Sequence, residues 1–261
     1  FVDAQRLAYA DRDRYVGDPD FAEVPVSDLV DPAYLDARAA ERAAAGEAPK
    51  PGDPGAVLRD EPMLVRYAPD STLSMPSTSH MSVIDRDGNA VSLTASVEAP
   101  FGSSRMAGGF LLNNQLTDFA RNPGEPGAAA VNIALPGKRP RSSMSPTLVF
   151  DDAGGLRMVT GSPGGNSIVA YVAKSLVGVL RWDLSAQDAV DLPNVIARGL
   201  TVRVETGVAG GAAVAEGLDG LGYPVQEREG ENSGLHVIVV GDDGLEGAAD
   251  PRREGEAVAV P

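Results

Sequence analysis

Polar and apolar side chains alternate in the stretch that follows residue 79, and this alternation predicts a β-hairpin. Residues 80–85 form the first strand, 86–89 an Arg-Asp-Gly-Asn turn, and 90–97 the return strand. Residues that face each other across an antiparallel pair point to the same side. A turn centred on this loop therefore pairs Thr78 with Ser96, unless a bulge shifts the register.

A second hairpin is predicted from residues 147–150 and 156–160, and it leads directly into Gly161–Asn166 and a helix over 167–181. Two adjacent glycines, Gly164 and Gly165, place bare backbone N–H groups at the start of this helix. Such donors stabilise an anion or a developing oxyanion, and an ordinary tight turn is the alternative interpretation. The helix is apolar on nearly every side, which predicts that it is buried.

The remaining periodicity predicts further helices and strands. The helices lie over residues 1–14, 32–45, 185–192 and 212–221, and the strands over 200–205, 225–229 and 235–240. Hairpins followed by helices do not give the alternating strand–helix order of a doubly wound fold. They favour an α+β protein with stacked, mostly antiparallel sheets and helices outside.

The region between the first helices and the first hairpin has little periodicity. Residues 46–54 are rich in Pro, Gly and charge, which predicts a surface loop. Residues 71–77 are rich in Ser, Thr and Pro, and we expect an exposed, mobile segment there. An accessible segment that leads into a strand is suited to proteolytic processing.

Composition excludes several classes of function. The net charge of −15 over 261 residues argues against a nucleic-acid backbone or an anionic membrane as the partner. There is no cysteine, which excludes disulfides and thiol nucleophiles, and the two histidines, His80 and His236, lie too far apart in sequence to suggest a metal site. No apolar run approaches the roughly 18 residues of a membrane span. The chain opens at Phe1 within a helical pattern, so we expect a piece of a longer precursor, and the compartment is left open.

Two further stretches concentrate polar groups. Residues 113–115 and Asp118 follow an apolar run, and they are either turn-forming residues or the rim of a pocket. Residues 138–143 form a basic turn that ends in Ser142 and Ser143. By itself this turn is typical of a solvated loop.

In this order, the pieces resemble the γ-glutamyltransferase (γ-glutamyltranspeptidase) family of N-terminal-nucleophile (Ntn) hydrolases. The matching pieces are Thr78–His80, Asp85–Val91, Phe101-Gly102, Leu111–Phe119, Pro136–Pro146, Gly161–Gly165 and Asp250–Arg252. The resemblance implies a four-layer αββα sandwich. It also implies two parts: residues 1–77 as the end of the large subunit with an exposed linker, and residues 78–261 as the small catalytic subunit.

The resemblance assigns the nucleophile to Thr78. In a precursor its hydroxyl would attack the Ser77 carbonyl and cleave the Ser77–Thr78 bond. The freed α-amine, with a reference pKa of about 7.7–8.0, would then act as the base for the same hydroxyl. Ser96 would hydrogen-bond the nucleophile, and Gly164 and Gly165 would form the oxyanion hole. From the pattern alone, Thr78 is a residue that begins a strand and Ser96 an ordinary polar-face serine.

Five further positions match groups that hold the substrate in the family: Glu98, Gln115, Asp118, Ser142 and Ser143. By this resemblance the first three hold the glutamyl α-amino and α-carboxylate groups, with Asp118 as the best ammonium partner, and the two serines bind the α-carboxylate. His80 matches a structural residue of the strand and not the base. The resemblance implies neither a cofactor nor a metal.

The chain departs from the family in two respects. The family's large subunit supplies an arginine that clamps the α-carboxylate, and no arginine within residues 1–77 lies in a matching motif. If this stretch acted alone, substrate affinity should suffer from the loss of one charge-assisted pair. The lid loop would fall within residues 121–135, where it is short and lacks an aromatic tip. We therefore expect an open cleft, which favours longer or polymeric γ-glutamyl substrates or water as the acceptor.

The resulting hypothesis is a γ-glutamyl hydrolase or transpeptidase that acts on glutathione and related γ-glutamyl amides. A related acylase, of the glutaryl-cephalosporin or poly-γ-glutamate type, needs the same nucleophile and oxyanion hole and is the alternative within the class. A catalytically silent, uncleaved fragment that only packs against a partner half is the alternative from another class.

Overall fold

The computed structural model describes residues 1–41, 43–63, 78–122, 124–125 and 128–260. The helices are α1 (Val2–Tyr15), α2 (Val26–Leu29), α3 (Pro32–Glu41), α4 (Pro54–Arg59), α5 (Ile168–Trp182), α6 (Ala186–Asp191) and α7 (Gly211–Gly220). The strands are β1 (Thr78–Ile84), β2 (Ala90–Ser96), β3 (Met106–Ala107), β4 (Phe110–Leu111), β5 (Gly124–Glu125), β6 (Ala128–Ala129), β7 (Thr147–Phe150), β8 (Leu156–Gly161), β9 (Val195–Ala197), β10 (Val202–Glu205), β11 (Val225–Arg228), β12 (His236–Gly241) and β13 (Gly244–Ala249). Short 3-10 turns cover Gln115–Asp118 and Gly165–Ser167.

A four-stranded antiparallel sheet forms the centre of the molecule, in the order β13-β12-β8-β7. Its β7–β8 hairpin is the second predicted hairpin. Helices α5 and α6 pack on one face of this sheet, where Met158 of β8 and Val237 of β12 meet Tyr171 and Val190 in the main core. Burial of these apolar side chains is the dominant stabilising force for the two layers.

The first predicted hairpin, β1–β2, packs on the opposite face of the sheet. Its inner side chains are polar and bind the sheet directly: the Ser82 hydroxyl donates to His236 O at 3.1 Å, and the Ser92 hydroxyl donates to Thr160 O at 2.9 Å. Gly161 of β8 is required beneath the hairpin, because a Cβ there would lie 2.1 Å from the His80 ring. The structure thus stacks a helical layer, a sheet and a second sheet, as the sequence predicts.

The outer face of β1–β2 is apolar, which inverts the usual alternation of a surface hairpin. Met81, Val83, Val91 and Leu93 are 40–50% exposed on this face. The resemblance implies a fourth layer, a second layer of helices, on this side of the hairpin. In the described residues this side is exposed.

A smaller mixed sheet, β9-β10-β11, completes the fold and packs against α7 through Val202, Val204 and Ala215. Helix α1 is attached to the edge strand of this sheet by Gln5, whose side chain donates to Val195 O and accepts from Ala197 N, each at 3.1 Å. The N-terminal segment is therefore packed against the rest of the described chain.

The structure differs from the predicted elements in several places, of which three are informative. The helix predicted over residues 32–45 ends at Glu41, and the carbonyls of Ala43 and Ala44 instead accept hydrogen bonds from the Arg6 guanidinium. Helix α4 was not predicted, although Asp53 caps it and Pro54 begins it, which is a recognisable signal. It starts within the loop predicted over residues 46–54.

The third difference concerns α5, which is not buried on all sides. Leu180 and Trp182 are 47% and 53% exposed, whereas Lys174 is buried and donates at 2.8 Å to Val190 O and Leu192 O. A lysine near the end of α6 satisfies carbonyls that have no partner within that helix. Hydrophobic patterning alone could not reveal this contact.

Candidate active site

The hairpin register brings the predicted nucleophile and its partner together. Thr78 lies opposite Ser96 in the β1–β2 ladder, as the position of the turn predicts. The Thr78 hydroxyl donates to the Ser96 hydroxyl oxygen at 3.1 Å, and the Glu98 N–H donates to the same oxygen at 2.9 Å. Thr78 is buried, and its carbonyl accepts a 3.3 Å hydrogen bond from Arg253. Ser77, the other side of the predicted cleavage bond, lies outside the described residues.

A single cleft contains most of the predicted site. It is lined by Thr78, Ser96, Glu98, Gln115, Asp118, Arg141, Ser142, Ser143, Met144, Gly165, Asn166 and Ile168. Of the site residues predicted from the sequence, Gly164 adjoins this lining without belonging to it. Residues separated by up to about ninety positions in the chain therefore line one cleft, but their chemical roles stay a prediction.

One wall of the cleft carries two carboxylates. Glu98 is buried in a left-handed backbone conformation with φ of 76°, which is uncommon for a residue other than glycine. Within the part of the chain that is described, its Oε2 atom is buried without a hydrogen-bond partner. Burial and the neighbouring Glu98 charge raise the pKa of Asp118 to about 6. An acidic pair in which Glu98 is strained, buried and partly unsatisfied is well suited to bind a cation.

The acidic wall is held in place by backbone contacts of the loop after β2. Asn114 N donates to Val97 O at 3.2 Å, and the Asn114 side chain accepts from Ala99 N at 2.9 Å. Asn132 then donates to Asp118 O at 2.8 Å. These contacts fix the 3-10 turn that carries Gln115 and Asp118, so the turn-forming and the pocket-lining interpretations of this stretch both apply.

A second wall of the cleft carries hydroxyl groups. Ser142 and Ser143 line it together with Arg141, whose backbone N–H donates to the Asn132 side chain at 2.9 Å. Arg12 of α1 lies outside the cleft lining, and its Nη2 atom donates to Ser143 Oγ at 2.6 Å. Burial and the charge of Arg141 lower the pKa of Arg12 to about 10, so the group is still charged at neutral pH.

The two glycines form the turn between β8 and α5. Gly164 has φ of 132° and Gly165 has φ of 59°, both in the region that favours glycine. A Cβ on Gly164 would lie 2.4 Å from the Tyr171 ring. Only glycine fits there, and Gly165 lines the cleft beside Thr78. The turn is therefore both a tight connection and part of the cleft, so the two interpretations of the glycine pair are compatible.

His80 lies behind the cleft and not in its lining. Its ring nitrogens contact Thr94 Oγ1 at 2.7 Å and Ser82 Oγ at 3.1 Å. The His236 ring stacks 6.2 Å away, and His236 Nδ1 contacts His80 O at 2.8 Å. Burial and His236 lower the pKa of His80 to about 4. This surrounding agrees with the structural role implied for the histidine.

Sequence reasoning missed several residues in the cleft lining or next to it, chiefly Arg141 and Asn166 in the lining and Arg12 and Arg253 beside it. Arg141 and Asn166 directly adjoin predicted residues, so the motifs could have indicated them. Arg12 and Arg253 reach the site through folding alone, and no local pattern marks them.

No group of three or more His, Asp or Glu side chains in the described residues could hold a metal ion. None of the helices in the described residues has the length and apolarity needed to cross a membrane.

Comparisons with known proteins agree on one family. The family model described as Gamma-glutamyltranspeptidase matches residues 1–260. The glutathione hydrolase proenzyme of Escherichia coli (strain K12) is 35% identical over 99% of this chain and 43% of its own length. The acylase ACY 1 proenzyme of Pseudomonas sp. (strain SE83) is 31% identical, again over 99% and 43%.

A solved structure is also similar. The gamma-glutamyltranspeptidase from Pseudomonas nitroreducens complexed with L-DON superposes with a TM-score of 0.61 and 34% identity, over 70% of this chain and 99% of that one. This likeness confirms the predicted α+β sandwich of the Ntn hydrolases. The chain spans less than half the length of the two curated relatives. It belongs to the gamma-glutamyltranspeptidase family.

Proposed function

We propose that this chain carries the catalytic centre of a γ-glutamyl hydrolase or transpeptidase that acts on glutathione and related γ-glutamyl amides. The observation that carries the proposal is the placement of Thr78. Its hydroxyl bonds to Ser96 at 3.1 Å in a cleft that has an acidic wall, a wall with two serine hydroxyls, and a glycine turn. The family names and the proenzyme names of the relatives support the same activity.

The two walls fit the head group of a glutamyl substrate. The α-ammonium group would lie against Asp118 and the unpartnered Glu98 oxygen, since a buried carboxylate gains most from a cation that it can hydrogen-bond. The α-carboxylate would lie against Ser142 and Ser143, and Gln115 lies at the same rim. The side-chain carbonyl of the substrate would then reach towards Thr78.

The chemistry begins with self-cleavage. The Thr78 hydroxyl attacks the Ser77 carbonyl, and the acyl group passes from nitrogen to oxygen, which frees the Thr78 α-amine. Water then hydrolyses the resulting ester, which releases the Ser77 carboxylate and restores the Thr78 hydroxyl. In turnover this amine takes the hydroxyl proton as the oxygen attacks the γ-carbonyl. The N–H groups of the Gly164–Gly165 turn would stabilise the oxyanion, and the ammonium returns the proton to the leaving amine. Water or an amino acid then accepts the γ-glutamyl group from Thr78.

Residues 121–135 are the region of the proposed lid, of which the structure describes only part. Their short length favours an open cleft, so we expect water or long γ-glutamyl chains to compete well. Mass spectrometry of steady-state products distinguishes free glutamate from γ-glutamyl dipeptides. Exclusive transfer at low acceptor concentration would contradict an open cleft.

The proposed partner is the remaining portion of the large subunit. The relatives are more than twice as long as this chain, and the apolar outer face of β1–β2 is suited to be covered by protein. That portion would also supply the arginine that clamps the α-carboxylate. Residues 1–77 would then end the large subunit, and residues 78–261 would form the small one.

One experiment separates this enzyme from a silent, uncleaved module. Incubation followed by denaturing gel electrophoresis should give two bands, with Thr78 as the new N-terminus. Thr78→Ala should give one band and no turnover, whereas Thr78→Ser should retain cleavage. A single unchanged band from the native sequence would overturn the proposal. The similarity to an acylase makes a dicarboxylic acyl amide the second candidate substrate. Hydrolysis of a glutaryl amide, which has no α-amino group, tests this candidate directly.

A further inference from the structure

The glycine turn beside Thr78 is anchored from outside the cleft by helix α1. Asn166, the residue that follows Gly164 and Gly165 in this turn, is held at two atoms. The Tyr9 hydroxyl donates to Asn166 O at 2.8 Å. The Ser143 hydroxyl donates to Asn166 Oδ1 at 3.1 Å while its own oxygen accepts from Arg12 at 2.6 Å.

Tyr9 and Arg12 can share this task because they are three residues apart on one helix. Side chains at i and i+3 lie on the same helix face. This face of α1 is buried against the core, where Tyr9 is 2% exposed among Ala170 and Tyr171 at the start of α5. The anchor is therefore rigid on the α1 side.

The other side of the turn is also fixed. Arg203 of β10 donates to Ser167 Oγ at 2.8 Å, and Arg203 is in turn paired with Glu231. The turn itself has two residues in conformations that only glycine adopts easily, so its own backbone restricts it little. Its position beside Thr78 must come from these external contacts.

We propose that Tyr9 and Arg12 are positioning residues for the glycine turn, Tyr9 directly and Arg12 through Ser143. Neither lines the cleft, so both act through Asn166. The role in turnover rests on the proposed function, in which the turn stabilises the oxyanion. Preorganised donors lose effectiveness when their position is not fixed. If residues 1–77 end the large subunit, this contact also makes the catalytic turn of one subunit depend on a helix of the other.

The sharpest test is Tyr9→Phe, which removes one oxygen atom, made in the full-length protein. Tyr15→Phe is the matched control, because Tyr15 is on the same helix, equally buried, and donates to a backbone carbonyl, Gly52 O at 2.6 Å. We expect Tyr9→Phe to lower kcat about 3- to 12-fold with KM within about twofold of wild type. Tyr15→Phe should change neither constant, although both variants should lower the unfolding midpoint to a similar extent.

Amide hydrogen exchange over residues 165–167 gives a readout that does not need turnover. Tyr9→Phe should accelerate exchange in this segment about 3- to 12-fold relative to Tyr15→Phe. Arg12→Met is the second variant if Tyr9→Phe does not fold, and it should accelerate the same amides. Equal exchange in Tyr9→Phe and its control, or equal kcat, would overturn the inference. If the native protein hydrolyses no γ-glutamyl substrate, the proposed function fails, and exchange alone decides whether α1 positions the turn.

Discussion

The hydroxyl of Thr78 donates to the hydroxyl oxygen of Ser96 at 3.1 Å, directly across the hairpin register. We expect Ser96→Ala to lower kcat about 3- to 12-fold, because this bond orients the nucleophile. The variant also removes the acceptor of the Glu98 N–H, so KM should rise, by a smaller factor than kcat falls. Steady-state kinetics with a γ-glutamyl amide measures both constants. Ser96→Thr keeps a hydroxyl group and should recover most of the activity. Wild-type kcat in Ser96→Ala would show that the bond has no role in turnover.

The pH dependence of substrate capture should report Asp118. Since its pKa is raised to about 6, the side chain is protonated at lower pH and no longer attracts an ammonium group. We therefore expect kcat/KM to fall as the pH drops below about 6. Asp118→Asn should lower kcat/KM about 10- to 100-fold at neutral pH, as expected when one charged hydrogen bond is lost, and should remove this acid limb. An unchanged limb in the variant would assign it to another group.

The same carboxyl group should affect stability with the opposite sign. A group whose pKa is higher in the folded state stabilises the fold when protonated, and that contribution is lost as the pH rises through the folded pKa of about 6. Asp118→Asn cannot lose a proton. We expect its unfolding midpoint at pH 7.5 to exceed that of the native sequence, with a smaller difference at pH 4. A lower midpoint at pH 7.5 would contradict this.

His80 should make the fold sensitive to mild acid. Its pKa of about 4 in the folded state lies below the reference value of 6.5, so the unfolded chain binds a proton more readily. Stability should fall as the pH drops from about 6.5 to about 4, by up to about 3 kcal/mol. Because the chain has only two histidines, an NMR titration can follow the His80 ring directly. A His80 resonance that titrates near 6.5 would exclude this contribution.

A buried ion pair should dominate the stability of the C-terminal half. Glu205 is 1% exposed and accepts from Arg252 at 2.7 Å and from Asn194 N at 3.0 Å. Glu205→Gln leaves the Arg252 charge without its main partner, so we expect a loss of about 3 to 5 kcal/mol in the free energy of unfolding, measured with urea. Asp28→Asn breaks the surface pair with Arg59 and should leave the midpoint nearly unchanged. Equal midpoints for the two variants would contradict the difference in burial.

Local patterns predicted the hairpins well because strand period and turn chemistry act over a few residues. The pairing of Thr78 with Ser96 follows from the position of the Asp-Gly turn. The set of residues that lines the cleft was predicted only from the resemblance to a family. Contacts such as Arg12 with Ser143 join positions 131 residues apart, and no short-range signal encodes them.

The exposed apolar face of β1–β2 has a consequence for how this stretch of chain behaves in water. Two neighbouring strands with Val, Leu and Met side chains pointing outwards form an exposed apolar patch that favours face-to-face association. Produced without a covering layer, the chain should form concentration-dependent aggregates. Charged residues at Val83 and Leu93 should improve its solubility while preventing that layer from docking.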